Sequence, residues 1–283
     1  MKRQKSFENN KATLYLVATP IGNLSEFSSR AIEILKLVDV IACEDTRTSR
    51  ILLEKYGIKK KLVAYHNFNE VDSAKGLLAL LENGDDVALV SDAGYPLISD
   101  PGYHLVNEVI AHDFNVVTIS GPSAHLNALV ASGLDTMHYL YYGFLSDKKT
   151  KAQKELSDLS DLPYTLIFYE APHRIKKTLA LAFEILGKRR ACIARELTKK
   201  HEEYIRGDLE ELMTLDDLKG EIVLLIEGKK EKARAFDEYM IFQMVSTYIE
   251  EGLSSKDAIK KVAEDTKINK NQVYEDYLKL AQN

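Results

Sequence analysis

Between Ser91 and Gly102 the chain reads Ser91-Asp92-Ala93-Gly94-Tyr95-Pro96-Leu97-Ile98-Ser99-Asp100-Pro101-Gly102, with two glycines, two prolines and two aspartates. Glycine lets a backbone approach a ligand closely, and proline holds a loop in one shape. The stretch has no lysine, so it does not suit a polyphosphate. It suits a compact, nearly neutral ligand bound by main-chain hydrogen bonds, with apolar walls from Ile21, Leu97 and Ile98. Neither G-x-G-x-x-G after the first strand nor G-x-x-x-x-G-K-[ST] anywhere occurs, so the common nucleotide fingerprints are excluded. An ordinary connection between a strand and a helix is shorter and needs less special backbone chemistry.

Charged residues recur just after apolar runs. Glu44-Asp45-Thr46-Arg47, Glu170-Ala171-Pro172-His173-Arg174 and Arg195-Glu196-Leu197-Thr198-Lys199 all follow such runs. Salt bridges, or a helix cap at Asp45 or Thr46, explain any one of them. Their repetition favours one shared cleft.

Short apolar runs must position these loops. Leu14–Val17, Val40–Cys43, Leu62–Tyr65, Val87–Val90 and Val116–Ile119 read as buried strands. Helical spacing follows four of them, with Ala31, Ile34, Leu35 and Val38, then Leu77, Leu78 and Leu81, then Tyr103 to His112, then an apolar helix after Gly121-Pro122-Ser123-Ala124. Alternating strands and helices imply a parallel α/β sheet. The third strand ends in His66-Asn67-Phe68-Asn69-Glu70.

A second set begins near Ser132-Gly133, with strands at Tyr139–Tyr142, Tyr164–Tyr169, Ala191–Ala194 and Glu221–Ile226. Gly228 to Arg234 reads as a charged linker. Beyond it, Ser254 caps one helix, and Val273, Tyr274, Tyr277 and Leu278 mark another after a turn near Ile268-Asn269. Two short helices with such a turn are compatible with a helix-turn-helix. The division expected is 12–125, 126–228 and 235–283: two α/β domains and a small C-terminal helical region.

With 45% hydrophobic and 29% charged residues, the composition is that of a globular chain. No run approaches the roughly 18 apolar residues of a membrane span. The polar stretch Met1–Asn10 has no apolar core of a signal peptide and reads as a frayed tail. Cys43 and Cys192 fall in predicted strands and read as buried free thiols. No histidine spacing resembles a zinc site, so no metal is expected. A net charge of −5 excludes bulk attraction to nucleic acid but not a local basic face.

Thr19-Pro20-Ile21-Gly22-Asn23-Leu24, Glu44-Asp45-Thr46-Arg47, Ser91 to Gly102, Gly121-Pro122-Ser123, Phe168-Tyr169-Glu170, His173-Arg174 and Arg195-Glu196-Leu197-Thr198-Lys199 together resemble one family. It is the ribosomal RNA small subunit methyltransferase I family, a branch of the tetrapyrrole methylases, and the likeness runs from about Leu14 to the C-terminus. Two departures stand out: Tyr95 where the family usually has Thr, and Ala171-Pro172 in place of a Ser-Thr pair.

The resemblance implies two αβα domains of tetrapyrrole-methylase type and a homodimer in the cytoplasm. It implies transfer of a methyl group from S-adenosylmethionine to the ribose 2′-oxygen of a cytidine in 16S ribosomal RNA. Carried over residue by residue, the cofactor contacts would be Ile21, Asp92, Ala93, Gly94, Ile98, Ser123, Ala124 and Tyr169. A ribose hydroxyl is a weak acid, so a general base is expected. The candidates, unranked, are Glu44, Asp45, Asp100, Glu170 and Glu196. Arg47, Arg174, Arg195 and Lys199 are the candidates to grip RNA phosphates. Lys148-Lys149-Thr150-Lys151, Lys188-Arg189-Arg190 and Lys229-Lys230 add basic clusters that could face RNA.

The C-terminal segment from about Phe236 is acidic overall, yet Lys256, Lys260, Lys261, Lys267 and Lys270 crowd its start and turn. They could form a patch that touches the ribosomal substrate. Alternatively, the segment is a helical cap with solvated lysines.

Overall fold

The computed structural model describes residues 2–6, 8–65, 70–230 and 236–281. The expected loop at His66-Asn67-Phe68-Asn69 and most of the expected linker, 231–234, lie outside the described residues. The chain forms two compact units, 1–229 and 230–283.

Five strands open the first unit: β1 (Thr13–Val17), β2 (Val40–Cys43), β3 (Lys61–Ala64), β4 (Val87–Val90) and β5 (Asn115–Ile119). They pair in the order β3-β2-β4-β1-β5, all parallel. Helices α1 (Ser29–Leu37) and α2 (Thr46–Lys55) bury Leu35 and Leu53 on one face. Helices α3 (Glu70–Glu82) and α4 (Tyr103–Ala111) bury Leu77 and Leu105 on the other. Covered faces explain why β1, β2 and β4 are buried throughout and almost wholly apolar: a parallel strand buried on both sides has no polar side to show.

Helix α5 (Ala124–Ser132) leads to the second sheet. Its strands are β6 (Tyr139–Phe144), β7 (Thr165–Glu170), β8 (Arg190–Arg195), β9 (Glu203–Asp208) and β10 (Ile222–Ile226), in the order β6-β7-β10-β8-β9. Only β6 and β7 are parallel; the other pairs are antiparallel. In β10, Ile222, Leu224 and Ile226 face α6 (Lys149–Leu159), α7 (Ile175–Leu186) and α8 (Leu209–Leu212). Val223 and Leu225 face α5. That alternation is the period-2 signature of a strand.

Strand β9 was not expected. It is an edge strand, its residues are half-buried or exposed, and its sequence Glu203-Tyr204-Ile205-Arg206-Gly207-Asp208 carries three charges. Lysines, charges and short length are how sheet edges resist further pairing, and they also hide the strand from hydrophobic patterning. The C-terminal unit likewise has three helices rather than two: α9 (Glu238–Glu250), α10 (Ser255–Thr266) and α11 (Lys270–Ala281). Ile241, Val245, Ala258, Ile259, Val262 and Val273 form its core. Lys260 and Lys261 pair with Glu264 and Asp265 one turn along α10, so at least two of the five lysines of the expected patch have carboxylate partners.

Both cysteines are buried and free. No described helix is long and apolar enough to cross a membrane.

Candidate active-site cleft

The loops at the carboxyl ends of β1, β4, β5 and β7 and the amino end of β10 meet around a cavity of about 460 Å³. In open α/β sheets this edge is where ligands bind. Backbone geometry beyond the strands holds it open. Thr19 N–H donates to the Gly94 carbonyl at 2.9 Å, and Gly94 N–H donates to the Thr19 carbonyl at 3.1 Å. Ser91 Oγ donates to the same Gly94 oxygen at 3.0 Å. Beyond that bridge Leu97 and Ser99 sit at φ 72° and 65°, left-handed values unfavourable for residues with a Cβ.

All eight residues expected at the cofactor, Ile21, Asp92, Ala93, Gly94, Ile98, Ser123, Ala124 and Tyr169, line this cavity. One physical detail differs. Gly94 spends its own N–H and carbonyl on Thr19, so it shapes the pocket rather than offering its amide to a ligand. A Cβ at Gly94 would stand 3.4 Å from Ile21 Cγ2 and narrow the space between the two loops.

The five candidate bases separate. Asp100 and Glu170 line the cleft; Glu44, Asp45 and Glu196 do not. Asp45 is the N-cap of α2, accepting from Arg47 N–H at 2.7 Å and pairing with the Arg47 guanidinium at 3.0 Å. Those hydrogen bonds hold its carboxyl below the ordinary range. Glu196 is held by Lys199 at 2.9 Å and by Glu221 N–H at 3.1 Å, which also lower its proton affinity. Glu170 is 4% exposed and accepts from Ala171 N–H, Thr178 Oγ1 and, at 3.3 Å, Arg174 Nε. Its lone pairs serve the β7–α7 turn.

Asp100 is different. Burial lifts its carboxyl from 3.8 to about 6, Glu44 and Asp92 add to the rise, and a hydrogen bond with Ser91 opposes it. Asp92, the other cleft aspartate beside it, is exposed and accepts from the Asp45 N–H.

None of the four expected phosphate grips lines the cavity. Arg174 binds Asp147, Glu170 and the Leu145 carbonyl. Arg195 binds Glu203 and the Lys219 carbonyl. Lys199 bridges Glu196 and Glu221 at 2.9 Å each and lies over Gly22, where a Cβ would meet its Cγ at 2.5 Å. These cations tie loops together. Arg47 is 89% exposed but paired with Asp45.

Most of an aromatic wall was missed in the sequence. His125 and Phe144 line the cavity beside the expected Tyr169, as do Tyr95 and Ser99. The His125 ring lies 4.5 Å from that of Tyr141, tilted by 31°; Tyr141 lies 5.1 Å from Tyr169, and its Oη shares a 2.7 Å hydrogen bond with Ser99 Oγ. A bulge in β6 between Tyr141 and Gly143, with Gly143 at φ 87°, brings this strand against the central loop. Burial lowers the His125 pKa, so its imidazole stays neutral at pH 7. Burial, followed by the neighbouring Tyr141, raises the Tyr169 phenol, which remains a hydrogen-bond donor. Tyr95 Oη accepts from Gly121 N–H at 3.1 Å, so this departure from the family pattern pins two cavity loops. The only sequence signal for this wall was the density of aromatics around 139–144, which reads equally as core.

Among the described residues, no group of three or more His, Cys, Asp or Glu could hold a metal ion.

A family model described as Tetrapyrrole (Corrin/Porphyrin) Methylases matches residues 13–213. The ribosomal RNA small subunit methyltransferase I of Bacillus subtilis (strain 168) is 43% identical over 287 residues, 98% of this chain and 98% of that protein. That of Halalkalibacterium halodurans is 45% identical over 286 residues, 98% of this chain and 99% of that one. The fold is similar to a diphthine synthase crystal structure, with TM-score 0.60 and 14% identity over 78% of this chain and 91% of that one. It is similar also to the methyltransferase CobJ, with TM-score 0.59 and 18% identity over 77% and 94%.

Two substitutions separate the structural carboxylate from the tuned one. Glu170→Ala strips partners from a buried turn and leaves Arg174 without one of its anions, so it should cost about 3 kcal/mol. A chemical-denaturation midpoint equal to wild type would contradict this. Asp100 has a folded pKa above its unfolded value. Its stabilising contribution is therefore fully present below pH 3.8 and lost as pH rises through about 6. Asp100→Asn should melt higher than wild type at pH 7.5, by about 1 kcal/mol after allowance for partial solvent screening. The gap should close below pH 4; a gap constant across that range would show that burial of charge is not its cause.

Proposed function

Because this chain belongs to the ribosomal RNA small subunit methyltransferase I family, a branch of the tetrapyrrole methylases, we propose that it methylates the ribose 2′-oxygen of a cytidine in 16S ribosomal RNA, using S-adenosylmethionine. The observation that carries this proposal is the likeness to relatives named for that RNA over 98% of the chain. The chemistry of the cleft supports it.

The cleft residues fit the cofactor. About 460 Å³ is within the usual span of small-molecule sites, about 300–1,000 Å³. Ile21, Ile98, Leu197 and Val223 offer apolar walls for a nucleoside. Asp92 and Asp100 favour a cation, and S-adenosylmethionine, when bound, supplies a methyl group on a positively charged sulfur. Ser123 and the Tyr169 phenol are polar groups able to orient it.

The chain's own part in the reaction is positioning and proton transfer. Holding the ribose oxygen in line with the methyl group removes most of the entropic barrier. Asp100 takes the hydroxyl proton as the new carbon–oxygen bond forms. With its carboxyl lifted to about 6, it is mostly ionised at neutral pH yet a stronger base than an ordinary aspartate. The aromatic wall of His125, Phe144 and Tyr169 keeps water from the reacting atoms.

We further propose that the enzyme works in the cytoplasm as a homodimer. Leu126 and Val130 stand one turn apart on the outer side of α5, 40% and 74% exposed. Met137 and Tyr139 follow at 80% and 41% on the way into the edge strand β6. Exposed apolar residues in such a series suit a subunit interface.

The test offers radiolabelled S-adenosylmethionine to the protein with isolated 16S RNA, small ribosomal subunits and a tetrapyrrole in parallel. Label should enter RNA or subunits and survive alkali in a dinucleotide with cytidine on the 5′ side, since a 2′-O-methyl group blocks hydrolysis there. Label on the tetrapyrrole alone, or on an RNA base, would overturn the proposal.

A further inference from the structure

A second groove, about 580 Å³, lies beside the cleft on the second sheet's helical layer. The two share a wall. Ala171 and Pro172 line the cleft, and the next two residues, His173 and Arg174, line the groove. Its apolar lining is Leu145, Ala152 and Leu181. Its charged residues are Asp147, Lys149, Arg174, Lys177 and Glu184, with His173 beside them.

The charges are not equivalent. Asp147 and Arg174 are spent on one another. Lys149, His173, Lys177 and Glu184 are exposed. Lys149 and Lys177 make no ion pair among the described residues, whereas their neighbours on the same helices, Lys151 and Lys176, are paired with Glu155 and Asp217. Two unpaired ammonium groups and an imidazole therefore border an apolar floor. Only Glu184 opposes them.

We propose that this groove holds the single-stranded RNA next to the reacting nucleotide, with Lys149 and Lys177 on its phosphates and His173 against a base. Cationic edges over an apolar floor match a strand whose backbone is anionic and whose bases present flat apolar faces. A folded duplex would keep its bases out of the groove. Arg174, the cation expected from the sequence to grip RNA, instead holds the β6–α6 loop onto the β7–α7 turn and so builds the groove. The inference rests on the reading of the chain as an RNA methyltransferase and gives that site its substrate path.

The experiment compares three full-length proteins: wild type, Lys149→Ala/Lys177→Ala, and a control, Lys151→Ala/Lys176→Ala, with the same charge change on the same helices. Binding of a labelled single-stranded 16S RNA fragment is measured over a range of salt concentrations, with S-adenosylmethionine affinity and methyl transfer measured separately. The groove variant should bind RNA at least tenfold more weakly at moderate salt. Its log–log salt slope should fall by roughly 1.4, the loss of two phosphate contacts on a single strand. Cofactor affinity should be unchanged, and the control should follow wild type. Wild-type affinity and slope in the groove variant, or an equal loss in the control, would overturn the groove while leaving the methyltransferase assignment intact. A lost slope in a protein that methylates no RNA would overturn the assignment and leave the groove standing.

Discussion

Two backbone hydrogen bonds between Thr19 and Gly94 hold the loop after β1 to the loop after β4, and the cleft depends on them. The two strands run parallel, but the chain leaving them meets in an antiparallel bridge. That reversal is possible because Gly94 adopts φ 79°. It turns the central loop across the sheet end and leaves Leu97 and Ser99 in left-handed conformations. Backbone strain of this kind costs on the order of 1–3 kcal/mol per residue and persists where surrounding contacts over-determine it. Here they include the Ser99–Tyr141 hydrogen bond, which ties the central loop to the second sheet.

Neutralisation selects among the charged groups. Arg47, Arg174, Arg195 and Lys199, the four cations expected to grip phosphates, each face a carboxylate of this same chain, and Glu170 and Glu196 are held by two of them. The exposed pairs among them contribute little stability individually, whereas the Glu170 carboxylate is buried. Their effect here is to fix loops. Asp92 and Asp100 are the cleft aspartates without an ion pair among the described residues, and only Asp100 combines burial with a pKa near neutrality. The division of labour thus follows from pairing rather than from residue type.

Much of the fold was legible because its strands are buried on both faces and announce themselves as apolar runs, as at Val87–Val90. The cleft loops were legible because glycine and proline mark special backbone shapes. Strand β9 was not, since an edge strand carries charges and few buried side chains. Helix α9 was not, since it follows directly on a charged linker. The carboxylate partners of Arg174, Arg195 and Lys199 were not legible for a physical reason: a sequence shows that a cation follows a strand, not which carboxylate faces it. The packing of His125 and Tyr141 beside the expected Tyr169 was invisible for the same reason, because the three come from α5, β6 and β7.

The account rests most heavily on Asp100 as the base, and the pH dependence of kcat/KM for methyl transfer to small-subunit RNA tests it most directly. That quantity reports ionisations of the free enzyme. In wild type it should rise tenfold per pH unit on the acid side and level off above about pH 6, where the Asp100 carboxyl ionises. In Asp100→Asn the plateau should fall by about 100-fold or more, and the break near pH 6 should vanish. A folded, cofactor-binding Asp100→Asn protein that keeps the wild-type profile would contradict the assignment.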